Sequence, residues 1–247
     1  MSQLQKYFEK ATMYDLLACY YKYSDPNKHI RYYQKHLKNM NKAVQTQRSE
    51  TTNYSNQPAY VRFFHSSPDA PNVDVYINAN KVLKNVAFKD VSDYLSLPAG
   101  KYHIDIYPTG DSISTVISKK VNVEPGMICT LAVVGSVNKL QLKPYIDQPR
   151  VPHNETKVRF IHLSPDAPVV DIAVKGGDVI FPNVAYKQAT EYLSLSAMTV
   201  DLEARIAKTQ DLALSIPDVT LKPNEPYTII ATGFVGQEPL LDALIIK

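Results

Sequence analysis

Apolar positions near the start of the chain recur at helical spacing. Leu4, Tyr7, Ala11, Tyr14, Ala18 and Tyr21 fall three and four residues apart, and Phe8 and Leu17 widen the stripe. Ser2 followed by Gln5 has the form of a capping box. "SDPNK" interrupts the pattern; Asp25 is suited to cap a second helix, with Pro26 at its first position. Ile30, Tyr33, Leu37, Met40 and Val44 then repeat the three-and-four spacing. The pattern predicts an antiparallel helical hairpin over residues 1–46, followed by a polar, aperiodic linker over 47–58. So small a pair has little core and is expected to pack on the rest of the chain, on a copy of itself or on a partner.

Beyond the linker the period changes to two. Val73, Val75 and Ile77 alternate with Asp74 and Tyr76, and Tyr102, Ile104 and Ile106 alternate with His103, Asp105 and Tyr107. Turn signals such as "SPDAP", "INAN", "PTGDS" and "EPGM" separate short runs rich in β-formers. Many short strands without intervening helices predict a mainly β architecture, a sandwich or barrel, rather than a parallel sheet with crossover helices.

The β region is written twice. "VRFFHSSPDAP" from Val61 and "VRFIHLSPDAP" from Val158 agree at nine of eleven positions. "KNVAFKDVSDYLSL" at 84–97 parallels "PNVAYKQATEYLSL" at 182–195, and "VEPGMICTLAVVG" at 123–135 parallels "LKPNEPYTIIATG" at 221–233. A near-constant offset over such a length implies two copies of one fold, expected at 59–147 and 156–247, with the boundary in "DQPRVPHNET". The second copy lacks the counterpart of Gly100 near Met198, so a differently shaped hairpin is expected there.

These repeated peptides resemble the bacterial domain of unknown function numbered 4397. The resemblance spans about residues 60–246 as two tandem copies. It implies two immunoglobulin-like β-sandwiches, a setting on secreted or cell-surface proteins, and no established activity or catalytic residues.

Charge is nearly balanced overall, with 27 Lys and Arg against 24 Asp and Glu, but residues 1–50 hold nine basic and four acidic side chains. A basic head could meet an anionic surface or form a solvated helix face. Seven of the 17 tyrosines lie in the same segment, which suits either an interface or packing within the hairpin. Tyr14, Tyr21, Lys28, Arg31, Tyr33 and Lys35 are its candidate interaction residues. Acidic and tyrosine residues dilute the basic patch, so nucleic acid is not the expected partner. Cys19 and Cys129 form neither a disulfide framework nor a zinc pattern and read as buried or partly buried thiols. The start lacks a secretory signal's pattern and no run is long and apolar enough to span a membrane, so the chain is expected to be cytoplasmic as synthesised.

The candidate chemistry sits in the repeated peptide: His65, Ser67, Asp69 and Asp74, then His162, Ser164, Asp166 and Asp171. A hydrolase triad is present in name, but Pro68 diverts the chain between Ser67 and Asp69, and the nucleophile-elbow glycines are missing. Asp69 and Asp74 could offer oxygen ligands to calcium, though only two carboxylates per copy are in reach. The reading that explains most is a structural corner, in which Asp69 bonds backbone amides while Pro68 and Pro71 fix the turn. Tyr76, Tyr94, Tyr102 and Tyr107 could make a carbohydrate-stacking face or ordinary cross-strand pairs. The chain is therefore expected to be a non-catalytic structural or adhesive protein of a bacterial envelope or spore surface layer, with no cofactor. Its hairpin would self-associate or anchor it. The alternative is a ligand-binding module for a metal ion or glycan at the SPDAP corners or adjacent loops.

Overall fold

The structure, a computed structural model, describes residues 2–55, 57–111 and 113–247. The chain divides into two compact units, Met1–Pro58 and Ala59–Lys247.

The first unit is the helical hairpin, α1 (Gln3–Tyr21) and α2 (Pro26–Ser55). Both expected caps form: Ser2 Oγ accepts from Gln5 N at 3.1 Å, and Asp25 Oδ1 accepts from Lys28 N at 3.0 Å. The helix α2 continues to Ser55, so most of the stretch expected as linker is helical; that stretch contains no glycine, and its one proline, Pro58, lies beyond the helix end. The seam between the helices follows a seven-residue repeat. The side chains of Ala11 and Ala18 are small enough to let His36 and His29 approach α1, whose Nδ1 atoms lie 3.1 and 2.9 Å from the Ala11 and Ala18 carbonyls. Lys28, Lys35 and Lys42 stand over the rings of Tyr21, Tyr14 and Tyr7 at 4.9, 5.2 and 5.7 Å. Seven residues are close to two helical turns, so this spacing keeps one face of each helix against the other.

The amphipathic spacing of α2 does not set this seam. Its apolar stripe does not face α1: Ile30, Tyr33, Leu37 and Val44 are 53, 47, 44 and 38% exposed. Histidine, lysine and Ala43 occupy the seam instead, because the alanines of α1 leave room for an imidazole that can reach a main-chain carbonyl. Among the described residues of the hairpin, Ala11, Ala18 and Ala43 are the buried ones.

The second unit holds two β domains of identical strand order. The first contains β1 (Ala59–His65), β2 (Val73–Ile77), β3 (Asn80–Val86), β4 (Leu95–Leu97), β5 (Gly100–Pro108), β6 (Ile117–Val123), β7 (Ile128–Val134) and β8 (Gln141–Ile146). The second contains β9 (Glu155–His162), β10 (Val170–Val174), β11 (Val179–Val184), β12 (Leu193–Ser196), β13 (Met198–Ile206), β14 (Leu212–Leu221), β15 (Pro226–Thr232) and β16 (Asp242–Ile246). In the first, sheet β4-β1-β7-β8 faces sheet β3-β2-β5-β6; in the second, β12-β9-β15-β16 faces β11-β10-β13-β14. Among the described residues every pairing of these strands is antiparallel except β1 with β7 and β9 with β15. β4 and β5 lie in different sheets, as do β12 and β13. The Gly100 and Met198 positions are thus both sheet-to-sheet corners, and the hairpin expected there is absent in both copies.

Each pair of sheets closes over its own core. Val61, Phe63, Leu131 and Val133 of one sheet meet Val75, Ile104 and Ile106 of the other. Phe160, Ile229 and Ala231 meet Ile172, Leu202 and Ala204 in the second domain. A third cluster joins the domains. Phe64, Ala132, Val134 and Tyr145 project from the outer face of the first domain onto Ile161, Leu163 and Ile230 of the second. The parallel strands are therefore buried on both faces.

Arginines cross this seam in both directions. Arg62 donates from Nε to Thr130 Oγ1 at 2.9 Å and from Nη1 to the Lys247 carbonyl of the other domain at 2.5 Å. Arg159, its counterpart, donates from Nε to Thr228 Oγ1 at 3.1 Å and from Nη1 to the Ile146 carbonyl at 2.5 Å. Each guanidinium lies over a tyrosine at equivalent positions, Arg62 on Tyr94 at 4.6 Å and Arg159 on Tyr192 at 4.7 Å. One carboxylate, Asp147, accepts from Arg159 Nη2, from Tyr94 Oη at 2.7 Å and from Thr130 Oγ1 at 2.7 Å. The exchange continues at the rim: Lys89 reaches Asp242 at 2.7 Å, and its counterpart Lys187 reaches Gln141 at 3.1 Å.

Replacing Asp147 by alanine leaves two buried arginines without their shared carboxylate. The expected loss is about 3–5 kcal/mol, the range for breaking one partner out of a buried ion pair. Urea unfolding followed by tyrosine fluorescence measures it, and a loss below ~1 kcal/mol would show that the seam does not depend on this carboxylate.

Candidate functional site: the repeated corner

The peptide after β1 leaves one sheet and enters the other, and its side chains pin that crossing. His65 is fully buried; its Nε2 lies 3.1 Å from the Pro71 carbonyl, and its Nδ1 accepts from Ser67 N at 3.3 Å. That pattern fits the neutral imidazole carrying its proton on Nε2. Ser67 Oγ donates to the Gly135 carbonyl at 2.6 Å, tying the corner to the end of β7. Asp69 Oδ1 accepts from Val137 N at 3.0 Å in the turn that follows. Gly135 sits at φ +105°, where a Cβ would collide with the Lys139 carbonyl, so the glycine is required for this close turn.

The second copy repeats most of these bonds. His162 Nε2 lies 3.0 Å from the Pro168 carbonyl, and Asp166 accepts from Val235 N at 3.1 Å. Gly233, at φ +99°, occupies the position of Gly135. Ser164 Oγ lies 3.2 Å from Asp166, as Ser67 Oγ lies 3.3 Å from Asp69; the differences are that the serine bond to a glycine carbonyl belongs to the first copy and that His162 Nδ1 has no hydrogen-bond partner.

The second repeated peptide completes the joint. Lys89 N donates to the His65 carbonyl at 2.8 Å, and Lys187 N donates to the His162 carbonyl at 2.7 Å. Phe63 N and Phe160 N donate to Ser92 Oγ and Thr190 Oγ1, both at 2.9 Å. Asp74 Oδ1 accepts from Asn85 N at 2.9 Å, and Asp171 Oδ1 accepts from Asn183 N at 2.7 Å. Both asparagines hold positive φ, +57° and +54°, at the bulges where β3 and β11 leave register. Asp74 faces away from the core, as its alternation with valines requires, yet it is only 2% exposed. Burial pushes its pKa up, but Lys81, Asn85 and Thr109 outweigh that and hold the carboxyl below its ordinary value.

His65, Ser67 and Asp69 are therefore close in space without forming a relay. Ser67 Oγ lies 2.6 Å from the Gly135 carbonyl and 3.3 Å from Asp69 Oδ1, both nitrogens of His65 are committed to main-chain groups, and the His65 and Ser67 side chains are sealed from solvent. Asp69 and Asp74 do not converge: one serves the turn after β7, the other Lys81, Asn85 and Thr109. Among the described residues no group of three or more His, Cys, Asp or Glu is placed to hold a metal ion.

The other candidates are dispersed. Tyr14, Tyr21, Lys28 and Lys35 are engaged along the seam between the helices, whereas Arg31 and Tyr33 are exposed. Tyr76 and Tyr107 meet edge to face at 5.2 Å beside a cavity of about 160 Å³ that Asp105 also lines. Tyr94 belongs to the domain seam and Tyr102 bonds the Pro98 carbonyl, so the four tyrosines do not share one face. Cys129 is buried, and burial pushes its thiol up to about 12; Cys19, expected to be at least partly buried, is exposed. Arg62, Arg159 and Asp147 were not anticipated as a group. The available signal was an arginine inside each copy's apolar "VRF" run, while Asp147 lay in what reads as linker.

Two facing sheets repeated in tandem, with buried corner joints in each copy, define a protein of paired β domains. The chain belongs to the family of the domain of unknown function DUF4397, whose model matches residues 59–173 and 158–247. No curated protein matches the chain. Among solved structures, the Bacillus anthracis TIE protein is similar at 12% identity and a TM-score of 0.25, over 71% of this chain and 34% of that one. An adhesin candidate from Bacteroides ovatus is similar at 8% identity and a TM-score of 0.22, over 78% of this chain and 93% of that one. A cell adhesion candidate from Bacteroides fragilis follows at 9% and 0.20, over 78% and 97%. Scores this low carry no argument about the role of this chain. No helix among the described residues is long and apolar enough to cross a membrane.

Burial lowers the pKa of both His65 and His162 below the ordinary 6.5. The unfolded chain then binds protons that the folded corners refuse, so their contribution to stability is complete above 6.5 and falls away as pH drops toward the lowered folded values. Urea midpoints between pH 7.5 and 5 should decline, and His65→Gln with His162→Gln should flatten that decline while lowering the midpoint at pH 7.5. An unchanged slope in the double variant would show that these imidazoles are not the titrating groups.

Proposed function

We propose that this is a structural or adhesive protein of a bacterial envelope or spore surface layer, in which the hairpin drives self-association or anchoring and the β domains form the body. The observation that carries this reading is the apolar stripe of α2. Ile30, Tyr33, Leu37 and Val44 face outward from a hairpin whose seam is built from alanine, histidine, tyrosine and lysine. A helix pair with so little buried area of its own gains stability by covering such a stripe. Lys28, Lys35 and Lys42, engaged with tyrosines, are held along the seam. The surface-layer setting rests on family resemblance, and each β domain is proposed to be an immunoglobulin-like sandwich by its size and facing sheets. Its parallel pair β1–β7 sets it apart from an all-antiparallel member of that class.

The test is solution mass by light scattering across a concentration series. The full chain should associate, and Ile30→Ser with Leu37→Ser should weaken association by about tenfold or more, equivalent to ~1.4 kcal/mol. The thermal transition of the β unit should not move. Equal masses for the two proteins at every concentration would refute the role given to α2.

A further inference from the structure

The two copies differ most usefully at one sheet edge. In the second domain the edge strand β14 carries Pro217, and Asp218 at φ +55° stands where β13 and β14 slip register. Proline removes a ladder donor and a bulge twists the strand away, so this edge is closed to further pairing. The matching strand of the first domain, β6, has neither device. Its sequence is ISKKVNV, it pairs in unbroken register with β5, and its other side carries no strand. In an antiparallel ladder the residues not bonded to β5 aim their amides and carbonyls outward.

Beside this edge the sandwich is open. Two cavities of about 380 and 230 Å³ lie between β6 and β8 and share Lys119 and Leu142 on their walls. Leu140, Met127 and Leu131 supply apolar lining that reaches toward the core. Lys119, Lys120 and Lys143 supply the charge, and among the described residues no acidic side chain lines either cavity. Lys119 spans the gap between the sheets, its Nζ 2.9 Å from the Leu142 carbonyl.

We propose that β6 is a docking edge for an acidic, extended segment of a partner protein, which adds to the sheet as a further strand. Alternate apolar side chains of the segment face the two cavities, at whose rim Lys119 lies, and the carboxylates between them point to the other face of the sheet, where they meet Lys120. Lysines on an edge repel a basic strand, including another copy of β6 itself, and admit an acidic one. Proline in β14 shuts out both, so of this matched pair of edges only β6 is open. This mode is independent of α2, and the readouts below do not depend on self-association through the hairpin.

The probe is a capped eight-residue peptide alternating valine and glutamate, with a valine–lysine peptide as control, added to the full chain. Fluorescence anisotropy measures binding, and hydrogen exchange locates it. The valine–glutamate peptide should bind, more weakly as salt rises, and slow exchange of the amides in 117–123 while leaving 212–221 unchanged. Lys119→Glu with Lys120→Glu should weaken it by about tenfold or more and favour the lysine peptide, whereas Lys208→Glu should do neither. The proposal is overturned if both peptides bind equally, if charge reversal has no effect, or if protection falls outside 117–123. It is overturned equally if those amides are protected by a second copy of the chain, rising with protein concentration and without peptide.

Discussion

Burial of both faces of the parallel strand pairs is the constraint on which the β unit depends. The inner faces of β1–β7 and β9–β15 form the two sandwich cores, and their outer faces form the third cluster between the domains. A strand covered on both sides has no solvent-facing position for a charged residue, yet Arg62 and Arg159 sit in the middle of those strands, 6 and 3% exposed. Each is accommodated by main-chain carbonyl, threonine and tyrosine contacts, one of them from the opposite domain. The guanidinium suits this task, being planar enough to stack on tyrosine while donating at its edge. Reciprocal exchange means that neither domain satisfies its own arginine in full.

The corners follow from that constraint. A strand held from both sides must leave the seam abruptly, and the His–Ser–Asp peptide turns it with bonds from its side chains to nearby main-chain groups. Several positions that are identical in the two copies, among them His65 and His162 at Nε2 and the asparagines at positive φ, serve bonds made twice. The two positions at which the opening peptides differ, Phe64 against Ile161 and Ser66 against Leu163, lie on the seam itself. There the copies face each other and need complementary rather than identical side chains: Ser66 bonds Thr232 at 2.7 Å, while Leu163 joins the apolar cluster with Val134. The edges β6 and β14 diverge for another reason, because nothing in the sandwich fixes what an outer strand presents.

Much of this was legible in the sequence because local physics repeats there. Period-two alternation marked β2 and β5, the caps at Ser2 and Asp25 marked both helices, and the internal repeat marked two copies of one fold. The corner's structural role could also be argued, since Pro68 and Pro71 bracket an Asp. What was not legible depends on partners distant in sequence. Nothing near Arg62 announces Lys247, and Asp147 follows β8 in a stretch that reads as linker. The α2 seam was not legible because an apolar stripe is the default signal for burial, whereas here alanine on α1 makes room for His29 and His36. The heptad of tyrosines facing the heptad of lysines was present in the letters, but its meaning needed the antiparallel register of the two helices.

Hydrogen exchange of the β1 and β9 amides, in the full chain and in Phe64→Ala, tests most directly whether the two copies stand as one body. Phe64 belongs to the first domain but packs in the seam. If the seam binds the domains into a single cooperative unit, the central amides of β1 and β9 open with the same free energy, and the substitution lowers both equally, by ~3–5 kcal/mol for a buried phenylalanine. Loss of protection in β1 with β9 untouched would contradict the claim and leave two independent sandwiches.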